Sequence, residues 1–159
     1  MTPNAVVGLA PWLDTSELRE LMLPLIGWRG EPERDRVAVE KAIERYASQT
    51  NLFPYGVVRE GKLAGMIGIE ANNEHGIIRH IVVAPLWRRC GIGQLLIVEA
   101  AVFLRLSVLE AETDADAVNF YRACGFAIRS LGEKYPGTKR FLCRLEVTAC
   151  SPTENKAEP

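Results

Sequence analysis

Apolar positions change their spacing along the chain, and the changes mark out its elements. Leu18, Leu21, Met22 and Leu25 fall three and four apart within ELRELMLPLI, predicting a helix that Asp14 or Thr15 opens with a capping-type start. Pro24 is expected to kink or end it. After the loop GWRGEP, residues 32–49 set Val37, Val39, Ile43 and Tyr46 among charges, giving a second helix and, with the first, a helical lid. Ahead of this pair, AVVGLA at residues 5–10 reads as a short strand closed by Pro11. From Phe53 the pattern becomes that of strands. YGVVRE and LAGMIGIE around a Gly61-Lys62 turn predict a hairpin, and residues 76–84 predict a third strand, so the sheet begins antiparallel.

The stretch that organises the rest is IVVAPLWRRCGIGQLLI. A β-branched run, Ile81, Val82 and Val83, stops at Pro85; Arg88, Arg89, Cys90, Gly91, Ile92 and Gly93 follow, and a helical pattern begins at Gln94. A strand, a glycine turn and a helix in that order expose the first N–H groups of the helix, which lack internal partners and carry the positive end of its dipole. A side chain at Gly91 or Gly93 would obstruct an anion there, so the stretch is an anion cradle. Beyond it the helix is apolar except at Gln94, Glu99 and Arg105, predicting a core helix buried on a wide face. Residues 107–113 alternate like a strand. Thr113 or Asp114 then caps a helix with Asp116 in its first turn, and Gly125 ends that helix as a left-handed cap. Phe126 opens another strand, residues 133–137 form a loop, residues 139–147 the final strand, and residues 148–159 a polar tail without a core residue.

Length and composition narrow the class. The 159 residues, 48% hydrophobic and 25% charged with a net charge of −1, predict one globular domain over residues 1–147. They give no basic excess for nucleic acid or an anionic membrane. MTPNAVVGLAPW has no basic n-region, and no apolar run is long enough to span a bilayer, so a cytoplasmic protein is expected. Cys90, Cys124, Cys143 and Cys150 form no C-x-x-C pair and have no histidine at ligand spacing, which predicts free thiols and no metal. There is no G-K-[ST] to hold a nucleotide with magnesium, and no G-x-G-x-x-G with a ribose-binding acid.

Two motifs, Arg88-x-x-Gly91-x-Gly93 and Ala117-x-x-Phe120-Tyr121-x-x-x-Gly125-Phe126, stand in order with one helix and one strand between them. In this, residues 78–126 resemble the cofactor-binding core of the GNAT acetyltransferase superfamily, and the helix-helix-hairpin prefix extends the resemblance to residues 5–147. It implies an α/β (α+β) fold: a mixed, mostly antiparallel sheet of six to seven strands, helices on both faces, splayed between the fourth and fifth strands to admit acetyl-CoA. It implies that the backbone N–H groups of Arg89, Gly91, Gly93 and Gln94 hold the pyrophosphate, with Arg88, Cys90 and Ile92 completing the loop. The backbone of Ile81, Val82 and Val83 would pair with the pantetheine arm, and Asn119 and Tyr121 would adjoin the cofactor. Asp114 stands where many relatives carry Asn, and capping is its first assignment.

By the same resemblance Tyr121 is the general acid. Transfer from a thioester to an amine expels a thiolate of pKa about 8.5, and a phenol of pKa about 10 can protonate it while remaining neutral itself. A Lys-like amine is neutral in only about one part in a thousand at pH 7.4, a cost of about 4 kcal/mol, so a base or water relay is useful. Ile77 occupies the position where some members carry a basic Glu. Glu70, Glu74, His75, His80 and Glu112 are the substitutes, with His75, Ile77 and Arg79 on one strand face and His80 on the other unless a bulge resets the parity. Glu112 could instead hold a cationic acceptor. Trp12, Trp28 and residues 133–137 are expected to shape the acceptor pocket.

The resulting expectation is N-acetylation of a primary amine by direct transfer in a ternary complex, rather than a Cys-dependent relay. A non-catalytic acyl-CoA-binding or regulatory module on the same fold is the alternative, and a protein-binding scaffold a third class. Small amine, peptide N-terminus and Lys side chain all stay open as acceptors, as does a homodimer.

Overall fold

The computed structural model describes residues 6–26 and 31–147. Trp28, Cys150 and the expected polar tail lie outside these residues. Among the described residues the order is β1 (Val6–Gly8), α1 (Ser16–Ile26), α2 (Pro32–Ser48), β2 (Leu52–Arg59), β3 (Lys62–Asn72), β4 (His75–Val83), α3 (Ile92–Phe103), β5 (Val108–Asp114), α4 (Val118–Ala123), β6 (Ala127–Tyr135) and β7 (Thr138–Glu146). Single 3-10 turns span Ala10–Trp12 and Pro85–Trp87. The sheet order is β1-β2-β3-β4-β5-β7-β6. β4 and β5 run parallel, and antiparallel ladders join β1 to β2, β2 to β3, β5 to β7 and β7 to β6. This is the mixed, mostly antiparallel sheet with helices that the sequence predicted. The described residues divide into two compact units, one lying within Met1–Glu70 and Arg79–Ala100, the other within Ala71–Ile78 and Ala101–Pro159.

In the first unit the helix start is decided by a hydrogen bond: Leu18 N–H donates to Thr15 Oγ1 at 3.3 Å, making Thr15 the cap in preference to Asp14. Pro24 is held inside α1, which continues two residues further to Ile26. Leu18, Leu21 and Met22 of α1 and Val39, Ala42, Ile43 and Tyr46 of α2 are buried with Leu9, Leu52, Leu63 and Met66 in one cluster. The helix pair is therefore a wall of this unit's core rather than a lid over it. Val37 lies off the buried stripe and is 53% exposed, contrary to its expected place on the apolar face. The hairpin turn is Glu60-Gly61, one residue earlier than expected, with φ of 53° and 75° and Arg59 opposite Lys62. Positive φ at both central residues matches the twist of the flanking strands, so the turn chemistry outweighs the Gly-Lys reading.

Met66 belongs to the α1–α2 cluster, while a Cβ on its neighbour Gly65 would meet Val82 O at 3.0 Å and Ile92 Cγ2 at 3.1 Å. Neighbouring residues of a strand face opposite ways, so α3 packs on the face away from α1 and α2. Ile92, Leu96, Ile97 and Ala100 of α3 are buried, but Val98 and Val102 are 49% and 58% exposed. Its apolar surface is thus wider than the face it buries.

In the second unit Asp114 Oδ1 accepts from the N–H groups of Asp116 at 3.0 Å and Ala117 at 3.1 Å, but α4 starts only at Val118 and Ala117 at its N-cap has no side-chain cap, so Asp114 closes the turn ahead of the helix instead of capping it and Asp116 lies before the first turn. Gly125 follows α4 at φ 95°. Leu109, Ala111, Val118, Tyr121, Phe126 and Cys143 are buried. Residues 133–137 are mostly strand rather than loop. β6 continues to Tyr135, opposite Thr138, accommodated by register shifts at Ser130/Gly132 and Glu133/Tyr135.

Candidate functional site

The first unit builds the candidate anion site from backbone. β4 ends at Val83, and Ala84 N–H donates to Ala64 O at 2.8 Å, tying the exit of β4 to the start of β3. The chain then turns through Pro85–Trp87, with Trp87 N–H on Ala84 O at 2.9 Å. Arg88 Nε donates back to Val83 O at 3.0 Å, so this guanidinium closes the turn. Arg89 at φ 61° and Gly91 at φ 80° are both left-handed. For Arg89 that conformation is sterically costly, and such strain concentrates at ligand sites. Leu95 N–H finds Gly91 O at 3.0 Å and is the first helical bond of α3. The N–H groups of Ile92, Gly93 and Gln94 precede it and have no acceptor within the helix. A Cβ at Gly91 would meet nothing within 4 Å, so the protein itself does not fill the space beside this turn. The strand, turn and helix read from the sequence stand in that order, with α3 beginning at Ile92, so that Gly93 lies in its first turn. Cys90 is exposed with Sγ 3.5 Å from Arg88 O, and the Ile92 side chain is buried in the core.

On the opposite sheet face of the same unit, Tyr46 Oη and His80 Nδ1 are 2.6 Å apart, the two rings tilted by 55°. The tyrosine hydroxyl stands directly over β3, where a Cβ at Gly68 would lie 1.6 Å from it. Burial, with help from Arg45 and Arg79, pushes His80 down to about 4, and burial pushes the Tyr46 phenol well above its ordinary value. The pair is therefore neutral, Tyr46 the natural donor to Nδ1, and His80 a weak base. Glu70 is engaged by Arg79 Nε at 2.8 Å.

In the second unit the Tyr121 ring is buried edge-on to Phe120 and Phe126, with centroids 5.1 and 5.2 Å away. Burial raises its pKa, with smaller contributions from Cys143 and Cys124, so the phenol is un-ionised at neutral pH. Asn119 Oδ1 accepts from Arg122 on the same short helix. Glu112 lies on β5 opposite Leu142 and meets Arg140 Nε at 3.5 Å. His75 Nε2 contacts Glu110 Oε1 at 3.0 Å. Burial works against ionised Glu110, but hydrogen bonds from Arg144 and His75 outweigh it and hold the carboxyl below its ordinary value. Of the five substitutes for a base, Glu70, His75, His80 and Glu112 each have a side-chain partner. Glu74 offers its backbone carbonyl to Ser107 and Val108.

Residues 15–126 match the acetyltransferase (GNAT) family. The chain belongs to that family. Among solved structures, this GNAT chain is similar to a Desulfovibrio desulfuricans protein described as an acetyltransferase of the same family, at 20% identity over 91% of this chain and 99% of that one, TM-score 0.71. It is also similar to PaiA N-acetyltransferase from Thermoplasma acidophilum, in complex with coenzyme A, at 15% identity over 92% and 100%, TM-score 0.68. A third is ribosomal-protein-S18-alanine N-acetyltransferase from Escherichia coli, at 18% identity over 91% and 94%, TM-score 0.66. At these identities the likeness is one of fold. A comparison with curated proteins finds no match.

The two GNAT motifs of the sequence are thus a turn into α3 and a helix carrying Tyr121. Sequence reading missed Tyr46 as the partner of His80. Its signal, an aromatic on the apolar stripe of α2, is that of any core residue. Trp12 is partly buried against the α1–α2 cluster. No helix among the described residues is long and apolar enough to cross a membrane.

Proposed function

We propose that this GNAT protein is an acetyl-CoA-dependent N-acetyltransferase that moves an acetyl group to a primary amine by direct transfer in a ternary complex. The observation that carries the reading is the turn into α3: two left-handed residues at a helix start and open space at Gly91. That combination fits a diphosphate, because a doubly charged group is stabilised by uncompensated N–H donors at a helix start without any cationic side chain having to reach it. Arg89, Gly91, Gly93 and Gln94 are the backbone donors, and Arg88 holds the turn through Val83. The strand backbone at Ile81, Val82 and Val83 takes the pantetheine arm by β-type hydrogen bonding. PaiA N-acetyltransferase, solved with coenzyme A on the same fold, supports the cosubstrate, and the ribosomal-protein acetyltransferase supports an amine acceptor.

Acetyl-CoA supplies the acetyl group as a thioester. Tyr121 is assigned the proton for the departing thiolate. Its buried phenol is neutral at every working pH, and thiolate formed in the same poorly solvated surroundings is a stronger base than in water. His80, at about 4, is too weak a base to take a proton from an ammonium group, so deprotonation of the amine is assigned to water, with Glu112 attracting a cationic acceptor.

The test is an amine panel of polyamine, aminoglycoside, amino acid and peptide, with release of free coenzyme A thiol as readout. Turnover with one class is expected, and Tyr121→Phe should lower kcat by about 100-fold while acetyl-CoA affinity stays within about twofold. Unchanged kcat removes the acid assignment. Tight acetyl-CoA binding without thiol release from any amine favours the non-catalytic binding module instead.

A further inference from the structure

The β2–β3 hairpin tip is distant in sequence from the Pro85–Trp87 turn, yet three contacts in the first unit hold the residues beside it, one to α1 and two to that turn and the residue before it. Glu17, in the first turn of α1, accepts from Leu63 N–H at the start of β3. Ala64, the next residue, accepts from Ala84 N–H at 2.8 Å, one residue before the Pro85–Trp87 turn. The third contact is a side chain: the Arg59 guanidinium carbon stands 5.3 Å from the centre of the Trp87 ring. Arg59 is the last residue of β2, and the register shift between Val57 and Val58 resets which way it faces.

The state of Arg59 is unusual. Its Nε is buried, and among the described residues it has no hydrogen-bond partner. A desolvated guanidinium N–H without an acceptor is unfavourable, and buried polar groups are nearly always paired. What Arg59 has in exchange is the face of an indole, which attracts a cation more strongly once both are desolvated. Trp87 is followed directly by Arg88, whose bond to Val83 O closes the turn that sets the first N–H groups of α3.

We propose that Arg59 is a positioning residue for the coenzyme: by stacking on Trp87 it fixes the Pro85–Trp87 turn and so aims the cradle at residues 88–94. The inference rests on the acetyl-CoA reading above. It places affinity for the coenzyme partly in the hairpin tip, outside both family motifs. Arg59 acts through Trp87, so its loss should weaken coenzyme A and 3′-dephospho-coenzyme A alike. Charge alone should not replace it, because lysine cannot lay a planar guanidinium on the ring.

Calorimetric titration of the full chain with acetyl-CoA, coenzyme A and 3′-dephospho-coenzyme A tests this, with melting curves run on every variant. Arg59→Gln and Trp87→Leu should each weaken all three ligands by roughly tenfold. The double variant should be little weaker than either single one, as for two residues acting through one contact. Arg59→Lys should behave like Arg59→Gln. Affinity within twofold in Arg59→Gln and Trp87→Leu while the unaltered protein binds acetyl-CoA overturns the inference and leaves the acetyltransferase reading standing. Loss confined to the ligands carrying the 3′-phosphate, or full rescue by lysine, overturns it in favour of a direct charge contact. Absence of binding to the unaltered protein overturns both.

Discussion

A Cβ added at Gly68 would lie 1.6 Å from the hydroxyl of Tyr46, whereas one added at Gly91 would meet nothing within 4 Å. Both glycines belong to the first unit, and each marks a polar cluster. At Gly68 the protein is full: a tyrosine from α2 reaches across to a histidine on β4, and the strand beneath has no side chain because there is no room for one. At Gly91 the protein is empty: the backbone is left-handed, a helix starts at the next residue, and the space is open. The difference separates a polar pair that the fold completes for itself from a polar surface that it leaves for something else to complete. Burial, with Arg45 and Arg79 adding to it, is why His80, though a histidine on a GNAT strand, is a poor base.

The contrast can be broken most strongly at the glycines themselves. Gly68→Ala should cost about 3 kcal/mol in urea denaturation, because the clash is with the buried ring and hydroxyl of Tyr46, which the core and His80 hold in place. Gly91→Ala should cost only about 1 kcal/mol, the penalty of a left-handed residue in open space. Equal costs would dissolve the distinction.

A second, smaller effect comes from acid. An unfolded imidazole titrates near 6.5 and native His80 near 4, so between those values the unfolded chain binds the additional proton. Stability therefore falls as pH drops from about 6.5 to about 4, by about 2 kcal/mol once screening of a partly accessible ring is allowed for. In His80→Gln this part of the acid loss should vanish, leaving the carboxylate contribution. Identical acid limbs in both proteins would show that His80 titrates normally. Smallest of the three, Tyr46→Phe should cost about 1 kcal/mol at neutral pH, the net worth of the hydrogen bond to His80, and equilibrium denaturation would measure it.

The same contrast explains what could be read from the chain. The turn into α3 was legible because its causes are local: β-branched residues stop ahead of a proline, and Gly91 precedes an apolar helix. The helix that carries Tyr121 was legible for a similar reason, as a short segment that stops just before a left-handed Gly125. The Tyr46–His80 pair was not, since it needs α2, β3 and β4 to meet at Gly68, and none of those residues announces the others. Val37 and the exposed valines of α3 failed differently, as periodicity identifies an apolar surface but not the width of the face that packing covers. Glu60-Gly61 and the extension of β6 to Tyr135 were decided by backbone dihedrals and bulges that composition alone misreads as loop.

The most direct test of the account is a calorimetric titration of acetyl-CoA into the full chain and into Gly91→Glu. The account predicts saturable binding of one ligand per chain, weakened at least 100-fold by a carboxylate set in the open space of the cradle, with both proteins folded by melting curve. Failure of the unaltered protein to bind, or equal binding by Gly91→Glu, would contradict it, because the turn at residues 88–93 would then be a turn and nothing more.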